Sequence, residues 1–197
     1  MPSKCTYCNF NKYVNPAAPP HERMLSALKK EISFYLKHPK FALQNRKVHS
    51  VYFGGGTPTL APVSVINSVL EEIDKLTGGL PAGLEVTIES SEMAKLQSLH
   101  ETGINRLSLG VQSLCEDDLP ILGEFVDFVC RDHSAADAIQ AIETAKRIFG
   151  DRGFTFDMIF GRPGQLYKDW SKELDQALSI AGDHISIYQL TLERGTP

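Results

Sequence analysis

Short apolar runs that end in glycine or polar residues alternate with longer stretches of helical periodicity, and this alternation constrains the fold more than any single motif. Val48 to Phe53 is a strand-like run ending in Gly54-Gly55-Gly56-Thr57-Pro58, after which Val63 to Leu76 returns to helical spacing. The unit recurs. Leu84 to Ile88 precedes a helix around Met93 to Thr102, and Asn105 to Gly110 precedes Gln112 and a helix-rich stretch running towards Phe149. Phe154 to Phe160 then leads through Gly161-Arg162-Pro163-Gly164 into a helix from about Lys168 to Ala181, and His184 to Leu190 is a last strand. One further helix, His21 to His38, follows the breaker-rich connector Asn15 to Pro20. Strands separated by helices predict a parallel sheet covered by helices, as either an open doubly wound sheet or a barrel. In both architectures ligands gather at the carboxyl ends of the strands. The GGGTP segment, Glu89, Gln112, Asp157 and Thr191 are expected there.

A chain of 197 residues with 42% hydrophobic and 22% charged residues is long enough for one sizeable core, so a single soluble domain is expected. Its net charge of -4 and lack of any lysine or arginine run give no electrostatic footprint for nucleic acid or an anionic membrane. No stretch approaches the ~18 apolar residues of a membrane span, and the N-terminus has neither a signal-peptide core nor an arginine-rich transit pattern. Of the four cysteines only Cys5 and Cys8 are close, with Cys115 and Cys130 scattered, which does not resemble a secreted disulfide framework and implies a reducing compartment.

The chemistry-bearing residues are few. Cys5 and Cys8 form a CxYC pair, whose spacing alone reads equally as an incidental or half-zinc pair and as a functional one. Three consecutive glycines after a strand let backbone amides and carbonyls approach a ligand, because no Cβ intervenes. The segment lacks the lysine of a P-loop and the spacing of a dinucleotide fingerprint, and a tight turn before a helix is the simpler alternative. Glu89 and Gln112 suit the hydroxyls and polar edges of a nucleoside-like ligand, although each alone reads equally as a solvated loop residue. Asp157 lies in the apolar run Phe156 to Phe160, where an ionised carboxylate needs a partner. Arg131 is the candidate partner, with a solvent-facing or edge-strand position as the alternative. The six histidines, His21, His38, His49, His100, His133 and His184, have no ligand spacing.

Taken together, CTYCNF, VYFGGGTP, the Glu89 strand, NRLSLGVQSL, RDHSAADAIQAI, FDMIFGRPGQ and SIYQLTLERGTP resemble, in collinear order over nearly the whole chain, the HemW branch of the oxygen-independent coproporphyrinogen III oxidase-like radical S-adenosylmethionine (SAM) family. The likeness is greatest to the branch's animal mitochondrial members, which implies a mitochondrial location. The resemblance implies a (β/α)6 partial TIM barrel that binds a 4Fe-4S cluster and SAM. It also implies haem binding and haem-accepting partner proteins, as in a haem chaperone, rather than coproporphyrinogen oxidase activity. Carried over by position, Cys5 and Cys8 match cluster cysteines, and Tyr7 matches the aromatic residue between them that lies against SAM. Gly55, Gly56 and Thr57 match the segment that receives the methionine end of SAM, while Glu89, Gln112, Arg131, Asp157 and Thr191 match further SAM contacts. The implied chemistry is electron transfer from a reduced cluster to the sulfonium, giving a 5′-deoxyadenosyl radical, with the protein binding, orienting and excluding water.

The chain departs from the family pattern in blocks. Met1 stands where the first cluster cysteine is expected, and a thioether is a poor substitute for a thiolate that neutralises iron charge. The strand expected before the cysteine loop is absent, and Ser90-Ser91-Glu92 replaces a longer loop after Glu89, shortening it by about four residues relative to the family pattern. Glu124 to Cys130 is an insertion before Arg131, and the chain stops at Pro197, where the family continues into a haem-associated C-terminal domain. Blocks altered between intact motifs are the expected mark of alternative splicing or an incomplete gene model. Residues 1–197 are therefore expected to be a radical SAM core domain lacking its first strand and that C-terminal domain, with impaired catalysis. The alternative is a non-enzymatic binding or regulatory fragment of the same protein.

Overall fold

The computed structural model describes residues 20–41, 47–90, 95–116 and 135–191. Within them α1 (His21–Lys37) precedes five strands, β1 (Ser50–Phe53), β2 (Glu85–Ser90), β3 (Arg106–Gln112), β4 (Phe154–Phe160) and β5 (Ser186–Gln189). The helices α2 (Val63–Thr77), α3 (Leu96–Glu101), α4 (Ala135–Phe149) and α5 (Tyr167–Ile180) lie between successive strands. All four strand pairings are parallel and the sheet order is the chain order, β1 to β5. That order decides between the two expected architectures. A doubly wound sheet reverses its order at a switch point, which puts helices on both faces. Here the order never reverses, so right-handed crossovers place every connecting helix on one face. The sheet curls into the half-barrel of a partial TIM barrel.

Side chains alternate between the two faces of each strand. The helix-facing set is apolar and belongs to one buried cluster: Val86 and Ile88 of β2, Leu107, Leu109 and Val111 of β3, and Phe154, Phe156 and Met158 of β4. Ile66 and Leu70 of α2, Leu96 and Leu99 of α3, Ile142 and Ala145 of α4, and Ala177 of α5 complete it from the helical layer. Helix α1 buries no residue fully and lies against α2. The opposite, inner face is polar, and the register aligns it in rows. Tyr52, Thr87 and Arg106 form one row, Glu89, Ser108 and Thr155 the next, and Gly110, Asp157 and Ser186 a third.

This polar inner face explains where the observed strands exceed the apolar runs. β2 continues through Glu89 to Ser90, and β3 continues to Gln112 with a register irregularity between Gly110 and Gln112. Asp157 was expected at a carboxyl end, but it is the central residue of β4. The strand continues past it because Asp157 lies beside Gly110 and Ser186 on the inner face, while the apolar residues around it face the helices. The third helix begins at Leu96, and its expected start at Met93 lies outside the described residues.

Candidate functional site at the carboxyl ends of the strands

Tyr52 of β1 and Glu89 of β2 lie on the same face, and the Tyr52 hydroxyl donates to Glu89 Oε1. The second carboxylate oxygen, Oε2, accepts the backbone N–H of Gly55 at 2.8 Å. One carboxylate therefore closes the glycine turn onto β2. Gly55 and Gly56 adopt φ of 83° and 72°, left-handed values that favour glycine. Gly54 is required for a different reason: a Cβ there would run into the Tyr52 ring and come within 3.3 Å of the Glu89 carboxyl carbon. Behind this turn, Thr57 precedes a 3-10 turn at Pro58–Leu60. Thr59 within it is buried, accepts a hydrogen bond from Ser90 Oγ at 3.2 Å, and receives Lys95 Nζ on its carbonyl at 3.1 Å. The loop after β1 is thus fixed to the end of β2 from both faces of the sheet.

The pKa of Tyr52 is pushed well above that of an ordinary phenol, first by partial burial, then by the hydrogen bond to Glu89 and the negative charges of Glu89 and Asp157. Tyr52 consequently remains a donor at physiological pH. Asp157 is also raised, chiefly by burial and further by Glu89, against the opposing effects of a hydrogen bond from Ser186 and the proximity of His184. His184 is held in turn through Nδ1, 2.8 Å from Thr155 Oγ1. Arg131, the expected partner of Asp157, lies outside the described residues, and the hydrogen-bonding partner among them is Ser186.

Because the folded chain holds the Asp157 proton more tightly than the unfolded chain, stability is lost as pH rises from the ordinary carboxylate value through the raised one. Asp157→Asn is therefore expected to raise the melting temperature by a few degrees at neutral pH. The gain should vanish below about pH 3.9, where both states are protonated. Thermal melts of the two proteins across this range check the sign.

Gln112 ends β3 with φ of 69°, the left-handed region that a side chain other than glycine occupies at a cost. Its side chain folds back over Gly110, since a Cβ at Gly110 would meet Gln112 Nε2 at 2.9 Å. Gly110 is the register partner of Asp157, so Gln112 is brought over the same inner row. Glu89, Gly55, Gln112 and Asp157 thus converge on the inner face. Thr57 joins them through the glycine turn, and exposed Thr191 lies two residues beyond β5. Cys5, Tyr7, Cys8 and Arg131 lie outside the described residues. Sequence reasoning missed Tyr52, hidden inside the apolar run Val51-Tyr52-Phe53, and Ser186, which only register brings to Asp157. Strict alternation from Phe53 would have assigned Tyr52 to the polar face. Among the described residues, no three His, Cys, Asp or Glu side chains are grouped to hold a metal ion, and no helix is long and apolar enough to cross a membrane.

In a singly wound parallel half-barrel, the strand ends where this glycine turn and these polar groups converge are the face at which such barrels place ligands. The family model of the radical SAM superfamily matches residues 2–177, and the chain belongs to that superfamily. It is 42% identical over 196 residues to radical S-adenosyl methionine domain-containing protein 1, mitochondrial, of Danio rerio, covering 98% of this chain and 41% of that protein. It is 34% identical over 197 residues to the heme chaperone HemW of Haemophilus influenzae, covering 98% of this chain and 49% of that one. The chain thus spans less than half the length of these relatives. Among solved structures, the radical SAM coproporphyrinogen III oxidase HemN of Escherichia coli superposes with a TM-score of 0.77 at 24% identity, over 97% of this chain and 42% of that one, a likeness of fold.

Proposed function

We propose that this chain is the core domain of a HemW-like radical SAM protein, a mitochondrial haem chaperone by relationship, which holds SAM against the inner face of the half-barrel. The observation that carries the reading is the Glu89 carboxylate, which is fastened to the Gly55 amide and displayed at the strand ends beside Tyr52. The donor set fits SAM chemically. Glu89 and Asp157 are acceptors for ribose hydroxyls and for an amino group, and two carboxylates in a partly buried polar face favour a cationic ligand such as a sulfonium. A cation between them would also relieve the repulsion that helps raise Asp157.

In this reading Gly55, Gly56 and Thr57 bind the methionine end, Glu89 binds the ribose, and Gln112, Arg131, Asp157 and Thr191 complete the contacts. Cys5 and Cys8 would provide thiolates to a 4Fe-4S cluster, with Tyr7 between them as a SAM-binding residue. One-electron reduction of the sulfonium is the chemistry the cluster supplies when bound. Haem and haem-accepting proteins are the proposed partners of the whole protein. A second reading, a non-enzymatic binding fragment of the same protein, is favoured by Met1, because a thioether does not neutralise iron charge as a thiolate does.

Iron and sulfide analysis after anaerobic reconstitution separates the readings, with Met1→Cys carrying a short N-terminal extension as the comparison. The radical SAM reading expects a complete cluster in at least the substituted chain. A cluster only there makes position 1 the cause of impairment in the unsubstituted chain. Absence of a cluster from both removes the cluster-binding reading and leaves the binding fragment.

A further inference from the structure

Behind the strand ends lies a buried ion pair that the site described above does not use. Arg162, two residues beyond β4, and Glu173, on α5, are 3% and 7% exposed. Arg162 Nη1 donates to Glu173 Oε1 at 3.1 Å, and Nη2 donates to Oε2. Oε1 also accepts from Ser113 Oγ at 2.7 Å and from the backbone N–H of Leu114 at 2.8 Å. Ser113 Oγ then accepts the N–H of Cys115 at 2.9 Å. Gln165 braces the other side: its Oε1 accepts the N–H groups of Gly161 at 2.7 Å and Arg162 at 3.3 Å, while its Nε2 is 3.5 Å from Glu173 Oε2. A single carboxylate thereby joins the turn after β3 to the turn after β4.

Stability alone does not account for this arrangement. Taking two charges out of water is costly, and an apolar pair of similar volume often serves the fold as well or better. An apolar pair could not, however, accept hydrogen bonds from Ser113 and Leu114. Those residues directly follow Gln112, whose left-handed backbone is itself unfavourable and needs its surroundings to hold it. The carboxylate therefore acts where the chain is strained, one residue from a side chain that lies over the Asp157 row.

We propose that the Arg162–Glu173 pair is a positioning device for the ligand site, fixing the turn after β3 so that Gln112 is held over Gly110 and Asp157. The inference rests on the SAM-site reading and adds residues that touch no ligand. Two double variants isolate it. Arg162→Met/Glu173→Gln removes both charges but keeps an acceptor for Ser113 and Leu114, whereas Arg162→Met/Glu173→Met removes the acceptor as well.

Hydrogen exchange in the SAM-free chains is expected to be about tenfold or more faster at Leu114 and Cys115 in the Met/Met variant than in the Met/Gln variant, with Ile88 and Phe156 equally protected in both. Titration with SAM is expected to give an affinity about tenfold weaker for Met/Met than for Met/Gln, a difference of about 1.4 kcal/mol. Equal exchange at Leu114 and Cys115 in the two variants overturns the positioning role whatever the affinities are. Faster exchange with unchanged affinity also overturns it, by separating the turn from the ligand. Absence of SAM binding to the unsubstituted chain overturns the site reading, and the inference with it.

Discussion

Glu173→Ala is expected to destabilise the folded chain by about 3–5 kcal/mol, because it leaves the Arg162 guanidinium buried without its carboxylate. For a chain of this length that lowers the melting temperature by about 6–20 °C. The loss is larger than that of a surface ion pair, such as Arg152 with Asp183 in this chain, where both side chains are exposed and the pair contributes about 0–1 kcal/mol. It also frees the Leu114 amide and the Ser113 hydroxyl in a buried region. Arg162→Met/Glu173→Met should recover much of the stability, since it removes both buried charges of the pair together. Thermal and urea melts of the three proteins measure this. An alanine variant within about 1 kcal/mol of the unsubstituted chain would show that the pair is effectively solvated.

Phe156→Ala is expected to cost about 3–5 kcal/mol, the range for truncating a fully buried aromatic residue. Phe156 is wholly inaccessible, lies opposite Leu109 in the sheet, and belongs to the cluster between sheet and helices. Its neighbour Asp157 points to the other face, where Asn is expected to stabilise. Adjacent substitutions with effects of opposite sign are a direct consequence of the two-residue strand period. The destabilisation should also persist across pH, since Phe156 carries no titrating group, whereas the Asp157→Asn gain disappears in acid. A cost below about 1 kcal/mol in urea melts of Phe156→Ala would place it outside the packed layer.

The alternating strands and helices are legible in the sequence because each helix-facing stripe is apolar and the apolar runs end in glycine or polar residues. Spacing alone admits both a doubly wound sheet and a barrel; the family resemblance implies the barrel, and the observed pairing order bears it out. Strand ends were read short at Ile88 and Gly110 because the inner face of the half-barrel is polar, so Glu89 and Gln112 looked like loop residues. For the same reason Asp157 stood out as anomalous in an apolar run, and its need for a partner was legible although the partner was not. Ser186 meets it by register across 29 positions of sequence, a relation no local pattern encodes. The Arg162–Glu173 pair spans loop and helix at an offset of 11 residues. Its one sequence trace is Glu173 falling between Trp170 and Ala177 on the packed face of α5. The run of glycine at positions 54 to 56 implies close backbone approach, and the geometry divides that role between contact at Gly54 and left-handed backbone at Gly55 and Gly56.

The central claim, that the carboxyl ends of these strands hold SAM through Glu89, is tested most directly by equilibrium dialysis of SAM against the anaerobically reconstituted chain, Glu89→Ala and Tyr52→Phe. Binding to the unsubstituted chain is expected, with affinity weakened about tenfold or more by Glu89→Ala, which removes both the ligand's acceptor and the tether of Gly55. Tyr52→Phe should bind within about threefold of the unsubstituted chain, since Glu89 keeps its hold on Gly55. No binding to the unsubstituted chain, or equal binding with and without the Glu89 carboxylate, would contradict the account.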